Sequence, residues 1–464
     1  MLDEAKAGEL FAHIKKHSSA DEVEVLFYDV HSALTRFANN TIHQNVAEEN
    51  QVISVRSVFG QRTARATTNR TDGESLQRVV QASESLSRVQ HQDPDLLPMA
   101  RPEESGTGTV GAARHFEQTA ALTPQKRADG VEQIVKIAGD NRLTTAGIFS
   151  SSEISEGIFN SRGLQRWHRQ TSSEISVTML AQDSSGWQKA NSPDVCHLDA
   201  RMLAEVAAQK ARDSAHPQEM SAEMSAGRYT VILEPAAVLD IVGFMFFDFG
   251  GLAILDQRSF LNDRVGKQIF GENINISDEV NHPLQSGAPF DGEGVRREHV
   301  SLIEKGVVKR LVYARATAQR VKKSEYKDKL GHVGPTGHGF PLPNEMGEAP
   351  MNIVFQTPDN PQTTEQMIAS TDRGIYVTRF WYIREVDPYE KILTGMTRDG
   401  TFLIEDGKLR HGVLNFRFNE SLLHMLSNVE AMGTPVRASG EESFDMVVPP
   451  MKVKDFNFTE VTKF

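Results

Sequence analysis

The sequence predicts an α+β chain of two domains: an N-terminal antiparallel sheet with helices against it, and a C-terminal β-rich domain around one buried central helix. Three observations predict this. Short runs of alternating or β-branched character, such as EVEVLFYD (Glu22–Asp29) and QVISVRSVF (Gln51–Phe59), share the first half with segments of helical spacing such as Glu74–Val89. In Gly227–Gly251, the β-rich run Tyr229–Leu233 leads into Pro235 and a stretch, Ala236–Phe247, that is apolar except for Asp240. A helix apolar all round is a buried helix, and a dozen residues are too few to span a bilayer. After that helix, strand-like segments dominate.

Taken in order, residues 5–17 read as a helix with Leu10, Phe11 and Ile14 on one face. Glu22–Asp29, Ser32–Phe37 and Thr41–Asn45 read as short strands, the last two joined at Asn39-Asn40. Gln51–Phe59 and Arg62–Thr67 flank Gly60-Gln61, a hairpin signal. Residues 91–107 hold three prolines and no periodicity, the mark of a linker or long surface loop. Asp129–Gly139 is a predicted helix. The Ser/Thr-rich strands Ile148–Asn160 and Leu164–Asp183 turn at Ser161-Arg162-Gly163, and their polar face suits a solvated side or a cleft wall. Leu198–Ser214 is an Ala-rich helix with Met202, Leu203, Val206 and Ala207 as its inward stripe, and His216–Ala226 marks the boundary between domains 1–220 and 221–464. Beyond the central helix come two strands in Gly292–Val312 around Lys305-Gly306, a helical stretch at Ala314–Val321 and an irregular Gly/Pro/His loop at Leu330–Pro343. Asn352–Phe355 is a strand, Gln362–Ala369 a short helix and Gly374–Glu385 strongly β. Arg398–Leu409 reads as a hairpin, Leu414–Phe418 as a strand and Ser421–Met432 as a helix.

Composition sets bounds. The 464 residues exceed one ordinary core, and 39% hydrophobic with 24% charged residues is a globular composition. A net charge of −12 argues against direct contact with nucleic acid or an anionic membrane surface. The single cysteine, Cys196, excludes an internal disulfide framework and a multi-cysteine zinc site, and leaves its own role open. The N-terminus lacks the apolar core of a signal peptide, and no apolar run is long enough for a transmembrane helix. The expectation is a cytoplasmic protein.

Candidate site residues follow from chemistry. Asp240 and Asp248 are the only charges on the central apolar stretch, and the ordinary reading of each is a carboxylate held by backbone or arginine. His332 and His338 share a Gly/Pro loop, but their separation is not a compact zinc spacing. His282 and His299 lie in the same half. Asp291, Glu293 and Arg296-Arg297 form a charge cluster, most simply solvated ion pairs at a hairpin. Trp381 and Tyr382 read as core or interface. There is no Gly-x-Ser-x-Gly elbow and no phosphate loop.

Several stretches together resemble the TldD/PmbA family, also called the modulator of DNA gyrase family. They are VISVRSVFGQRTARATTN, NSRGLQRWHRQTSSEISVTMLAQDSSGW, GRYTVILEPAAV and FDGEGVRREHVSLIEKGVVKRLVYARATAQR, followed by MNIVFQ, STDRGIYVTRFW, GTFLIEDGKL and NFRFNESLLHMLSNVEAMG. The resemblance implies a dimer enclosing a cavity and, in the TldD branch, a zinc peptidase acting on unfolded or modified peptides. That branch carries His-Glu-x-x-x-His on the central helix and a Gly-x-Cys segment near the C-terminal hairpin. Here Gly243, Phe244 and Asp248 stand at the helix positions, and Met396 within TGMTRD stands near the cysteine. The similarity is therefore to the PmbA (TldE) branch. It implies a non-catalytic subunit, without bound zinc of its own, that completes the peptide chamber of a TldD-like catalytic partner or pairs with itself. Asp248, Asp291, Glu293, His332 and His338 are the candidate chamber-lining residues. Two alternatives stand beside this: an independent hydrolase with a metal site rebuilt from His282, His299, His332, His338 and Asp248, or a regulatory binding protein of the gyrase-modulator type.

Overall fold

The computed structural model describes residues 1–104, 106, 112–215 and 225–462. The first half contributes β1 (Glu22–Ala38), β2 (Thr41–Phe59), β3 (Arg62–Thr68), β4 (Thr144–Asn160), β5 (Gln165–Leu180) and β6 (Ser185–Ser192). They form one antiparallel sheet in the order β3-β2-β1-β4-β5-β6. The β1–β2 turn is Asn39-Asn40, both at positive φ (49° and 60°), the requirement of a tight two-residue hairpin. The three short strands expected in 22–45 are parts of two long ones. The alternation lapses around His31 and Val46, but β1 is paired on both sides, by β2 and β4, so the ladder runs through the lapse.

Two pairs of helices bury two separate cores against this sheet. Glu4–His17 and Gly73–Val89 cover Val25, Phe27, Ile53, Val55 and Phe159. Pro124–Asp140 and Ala200–Asp213 cover Phe37, Phe149, Ile175 and Val177. Between the cores, Ser32, Ser150, Ser152 and Ser172 are half-buried, which fits the polar face anticipated for these strands. The Ala200–Asp213 stripe is Leu203, Ala204, Ala207, Ala208 and Ala211, whereas Met202 is exposed. The reason is β6, unanticipated from the sequence. Its Gly186 lies so close to the helix that a Cβ there would stand 2.1 Å from the Ala207 carbonyl oxygen, and only small residues permit that approach.

The second half contributes β7 (Gly227–Leu233), β8 (Ile276–Asp278), β9 (Val300–Glu304), β10 (Val307–Val308), β11 (Ile353–Phe355), β12 (Arg373–Asp387), β13 (Ile392–Glu405), β14 (Lys408–Gly412), β15 (Phe416–Ser421), β16 (Val429–Met432), β17 (Val436–Ala438), β18 (Met446–Val448) and β19 (Met451–Val461). Strands β12-β7-β19-β15-β13 pair in sequence and β13 pairs back to β12, so five strands close into a barrel. Its interior stacks Phe380, Phe416, Phe418, Phe456 and Phe458. A second sheet runs β10-β9-β8-β11-β18-β17. The helix expected over Ser421–Met432 is helical only at Leu422–Ser427, because Val429–Met432 is claimed by the terminal strand β19.

The central element starts as expected, with Pro235 in the first turn, and Ala237–Val242 are buried. It departs after Val242. Gly243–Phe249 is a tighter 3₁₀ segment, Gly251–Leu255 a further α-turn, and Phe247 is 46% exposed, so the element is not buried on every side. The break falls at Gly243, where a Cβ would stand 1.8 Å from Ser443 Oγ. The 440s loop presses onto the helix there, and glycine both permits the contact and weakens the helix. The boundary expected at His216–Ala226 lies, apart from its last two residues, outside the described residues, as do Ser105 and Thr107 of the 91–107 segment. The described remainder of that segment has no helix or strand.

Candidate functional site

Three places gather the chemistry. The first is the end of the central helix. Asp240 is fully buried; its Oδ1 accepts from the Glu441 and Glu442 backbone N–H groups at 3.1 Å each, and Oδ2 has no partner. Burial pushes its carboxyl up to about 7, opposed by those two N–H groups. It fastens the 440s loop to the helix. Asp248 is also buried: Oδ2 meets Lys391 Nζ at 2.6 Å and Oδ1 accepts from Phe260 N at 3.1 Å. Burial raises its carboxyl, and Lys391 only partly offsets that. Lys391 is shared with Glu385 at 2.6 Å. Of the other positions that the resemblance sets against the zinc motif and its base, Gly243 is filled in by Ser443, Phe244 packs on the core, and Met396 is half-buried in β13 opposite Trp381. Trp381 is half-buried between Arg379 and Arg398, whose guanidinium carbons lie 5.3 and 4.8 Å from its ring centre, and Tyr382 is exposed.

The second place is a buried knot of acids beneath the Leu330–Pro343 loop. His338 Nδ1 contacts Thr336 Oγ1 at 3.0 Å, and its Nε2 lies 3.0 Å from Asp278 Oδ1, close enough to pair but off the line of a hydrogen bond. Burial alone would raise Asp278, but His338, Arg297 and the Asn352 N–H together hold it below the usual carboxylate range. Asp291 Oδ1 accepts from Glu293 N and Val295 N, both at 2.9 Å, and Oδ2 from Gly339 N at 2.8 Å. Burial and then the Glu293 charge push Asp291 up to about 7. Glu293 accepts from Arg315 N at 3.1 Å and is raised by burial against the pull of Arg315. Glu348 accepts from Leu252 N, Ala314 N and Thr317 Oγ1, and burial lifts it to about 7. The charge cluster anticipated at 291–297 is therefore largely interior: Asp291 and Glu293 are buried, Arg297 half-buried and Arg296 exposed.

The structure brings Asp291, Glu293 and the His338-Gly339 turn together and leaves the other histidines outside. His332 and His299 are exposed, His299 lying 3.7 Å from Glu279. Half-buried His282 accepts from Leu284 N at 3.2 Å. Among the described residues no three His, Cys, Asp or Glu side chains are grouped to hold a metal ion. Cys196 is exposed beside Asp194, which raises its thiol.

The third place is the cleft between halves. A cavity of about 360 Å³ lies between Leu26, Tyr28, Glu156 and Ile158 of the N-terminal sheet and Phe290, Asp291, Arg297, Gly339 and Pro341 of the second half. Burial raises Glu156, with Arg297 as the opposing charge. Gly157 on this wall is obligatory, because a Cβ there would stand 2.3 Å from Trp167. A second cavity of the same size, also lined by Phe290, gathers Arg296 of the anticipated charge cluster with Arg114, Arg166 and Arg169, which carry no signal in the sequence. They sit in strand and loop segments with no motif, and only the sheet register brings them together.

The profile of the PmbA/TldA metallopeptidase C-terminal domain matches residues 226–460, and that of the family's domain 1 matches residues 23–87. The chain belongs to the PmbA/TldD family. Among curated relatives, it is 24% identical to an uncharacterized Methanocaldococcus jannaschii protein, over 48% of this chain and 54% of that one. It is 22% identical to the metalloprotease PmbA of Escherichia coli O157:H7, over 82% and 80%. TldE from Thermococcus kodakarensis superposes with TM-score 0.84 at 18% identity, over 98% of this chain and 99% of that one. A putative modulator of a DNA gyrase from Thermotoga maritima gives 0.82 at 19%, with the same coverage. The PmbA/TldD assignment accords with the α+β architecture. Among the described residues, no helix is long and apolar enough to cross a membrane.

Proposed function

We propose that this chain is the non-catalytic, TldE-like member of a PmbA/TldD-type peptidase, which walls the peptide chamber of a metal-bearing, TldD-like partner. The observation that carries this reading is the end of the central helix. A zinc peptidase needs about three nitrogen, sulfur or carboxylate donors around an open position, with a base beside it. Those positions offer a glycine closed over by Ser443, a half-buried phenylalanine packed on the core, a half-buried methionine and a carboxylate already held by Lys391. That donor set does not fit zinc.

What the chain supplies is surface. The cleft between Leu26–Ile158 and the 290s loop offers apolar walls with Tyr28, Glu156 and Arg297 at hand for a peptide backbone. Asp291 and Glu293 act beneath that wall, fixing the loop through backbone N–H groups. Cleavage of an unfolded peptide by this chain alone, and by this chain co-purified with a TldD-like subunit, tests the reading. The expected result is chelator-sensitive cleavage only with the partner present. Chelator-sensitive cleavage by the isolated chain overturns it in favour of an independent hydrolase, and recovery of gyrase subunits without any TldD-like protein favours a regulatory binding role.

A further inference from the structure

The second cavity carries a charge pattern at odds with a chain of net charge −12. Its lining includes Arg114, Arg166, Arg169, Arg296, His115 and His168. Some of this charge is answered locally: Glu153 pairs with both Arg169 and His115, and Arg166 donates to the Gly106 carbonyl at 2.7 Å. Arg114 is different. It is only 4% exposed, and Nη2 donates to the Val280 and His282 carbonyls at 2.6 and 3.1 Å. Nε and Nη1 have no partner, and no carboxylate pairs with it among the described residues. Burial and then the nearby charge of Arg437 both act against its protonated form. His168 beside it is 9% exposed with Nε2 unpartnered. Burial and then Arg114 lower that imidazole to about 4, so it is neutral near pH 7.

Burying a guanidinium without a counter-ion costs several kcal/mol, and leaving two of its donors unmade adds to that. An oxyanion in the cavity supplies the missing charge beside Arg114, whose unpartnered Nε and Nη1 lie on different edges of the guanidinium and are themselves buried. At about 360 Å³ the cavity is far larger than one water's share of ~30 Å³, and Trp167 and Phe290 give it apolar walls. That combination suits a carboxylate attached to an organic chain. We propose that this cavity is an oxyanion subsite that takes the carboxylate of an acidic peptide, with the buried Arg114 charge behind it. The peptide assignment rests on the chamber reading above.

The test uses the isolated full-length chain and measures binding only, so the presence of a catalytic partner does not enter. A short N-acetylated peptide ending in Asp-Glu, its fully amidated Asn-Gln counterpart and inorganic phosphate are titrated calorimetrically. The acidic peptide is expected to bind at least about tenfold tighter than the amidated one, with affinity falling as salt rises. Arg114→Met should weaken acidic-peptide binding about tenfold, with circular dichroism checking that the variant is folded. Bound peptide should also raise the His168 titration seen by NMR, which a purely structural arginine would not do. If Arg114→Met does not fold, Arg296→Gln at the exposed rim should weaken the acidic peptide and leave the amidated one unchanged. Equal binding of the two peptides, or undiminished binding by the folded Arg114 variant (or by Arg296→Gln in its place), overturns the proposal. Binding of phosphate without the acidic peptide overturns the peptide assignment and leaves an inorganic oxyanion site.

Discussion

Asp248→Ala separates a chamber carboxylate from a structural one. In the structure the Asp248 side chain is 9% exposed and Lys391 5%, with 2.6 Å between Oδ2 and Nζ. Removing one member of a buried pair costs roughly 3–5 kcal/mol, because the other charge is left in the interior. Two features adjust this figure. Lys391 keeps Glu385, itself 34% exposed, so it is not wholly stranded. Against that, Phe260 N–H loses its acceptor inside the core, which costs about 1–3 kcal/mol. The expected loss is therefore about 3 kcal/mol. For a unit the size of the C-terminal half this lowers the melting temperature by about 6–12 °C. Replacing both partners by leucine should recover most of the loss, since apolar packing avoids the desolvation of two charges. The assay is urea and thermal unfolding followed by circular dichroism on the parent, both single variants and the double. An Asp248→Ala chain that melts with the parent would show a solvated carboxylate, and the placement of the helix end would be refuted.

Val242→Asp puts an unpaired carboxylate into a fully buried position and should cost several kcal/mol, seen as loss of cooperative unfolding in the C-terminal half. Gly243→Ala should cost about 1–3 kcal/mol through the collision with Ser443, and Ser443→Gly in the same chain should restore most of it; a lone Gly243→Ala without effect on the urea midpoint would contradict the contact. Asp240, Asp291 and Glu348 are each raised to about 7, so between roughly pH 4 and 7 the folded chain holds protons that the unfolded chain has released. Their stabilisation is complete below the unfolded value and is lost as pH rises through about 7, at up to ~1.4 kcal/mol per pH unit per group. His168, lowered to about 4, has the opposite sign, and its contribution is complete once the pH exceeds its unfolded value. The urea midpoint of the C-terminal half should therefore be lower at pH 8 than at pH 6, and Asp240→Asn should shrink the difference.

Much of this was legible in the sequence because it rests on local chemistry. Asn39-Asn40, Lys305-Gly306, Pro235 and the apolar run after it each name their own conformation. The pieces that were not legible depend on distant partners. β18 and β19 are short or bulged, and their pairing is decided by β11 and β7, far away in sequence. Met202 was placed inward because the pattern favours large apolar residues, whereas the contact with Gly186 selects alanines. Asp291 and Glu293 looked like surface charges because nothing local announces that backbone N–H groups converge on them. Arg114 carried no signal, since its burial depends on the carbonyls of Val280 and His282.

The place of β19 in the barrel has a consequence for synthesis. It lies between β7 and β15, and its partner Leu233 precedes Met451 by about 220 residues. At roughly 5–20 residues per second, β7 and the apolar helix behind it leave the ribosome some 10–40 s before the strand that closes the ring. During that interval the greasiest surface of the molecule has no ring to hide in. The N-terminal sheet, whose six strands are complete by Ser192, can already be folded beside it. The ring of the second half therefore closes only when β19 arrives between β7 and β15.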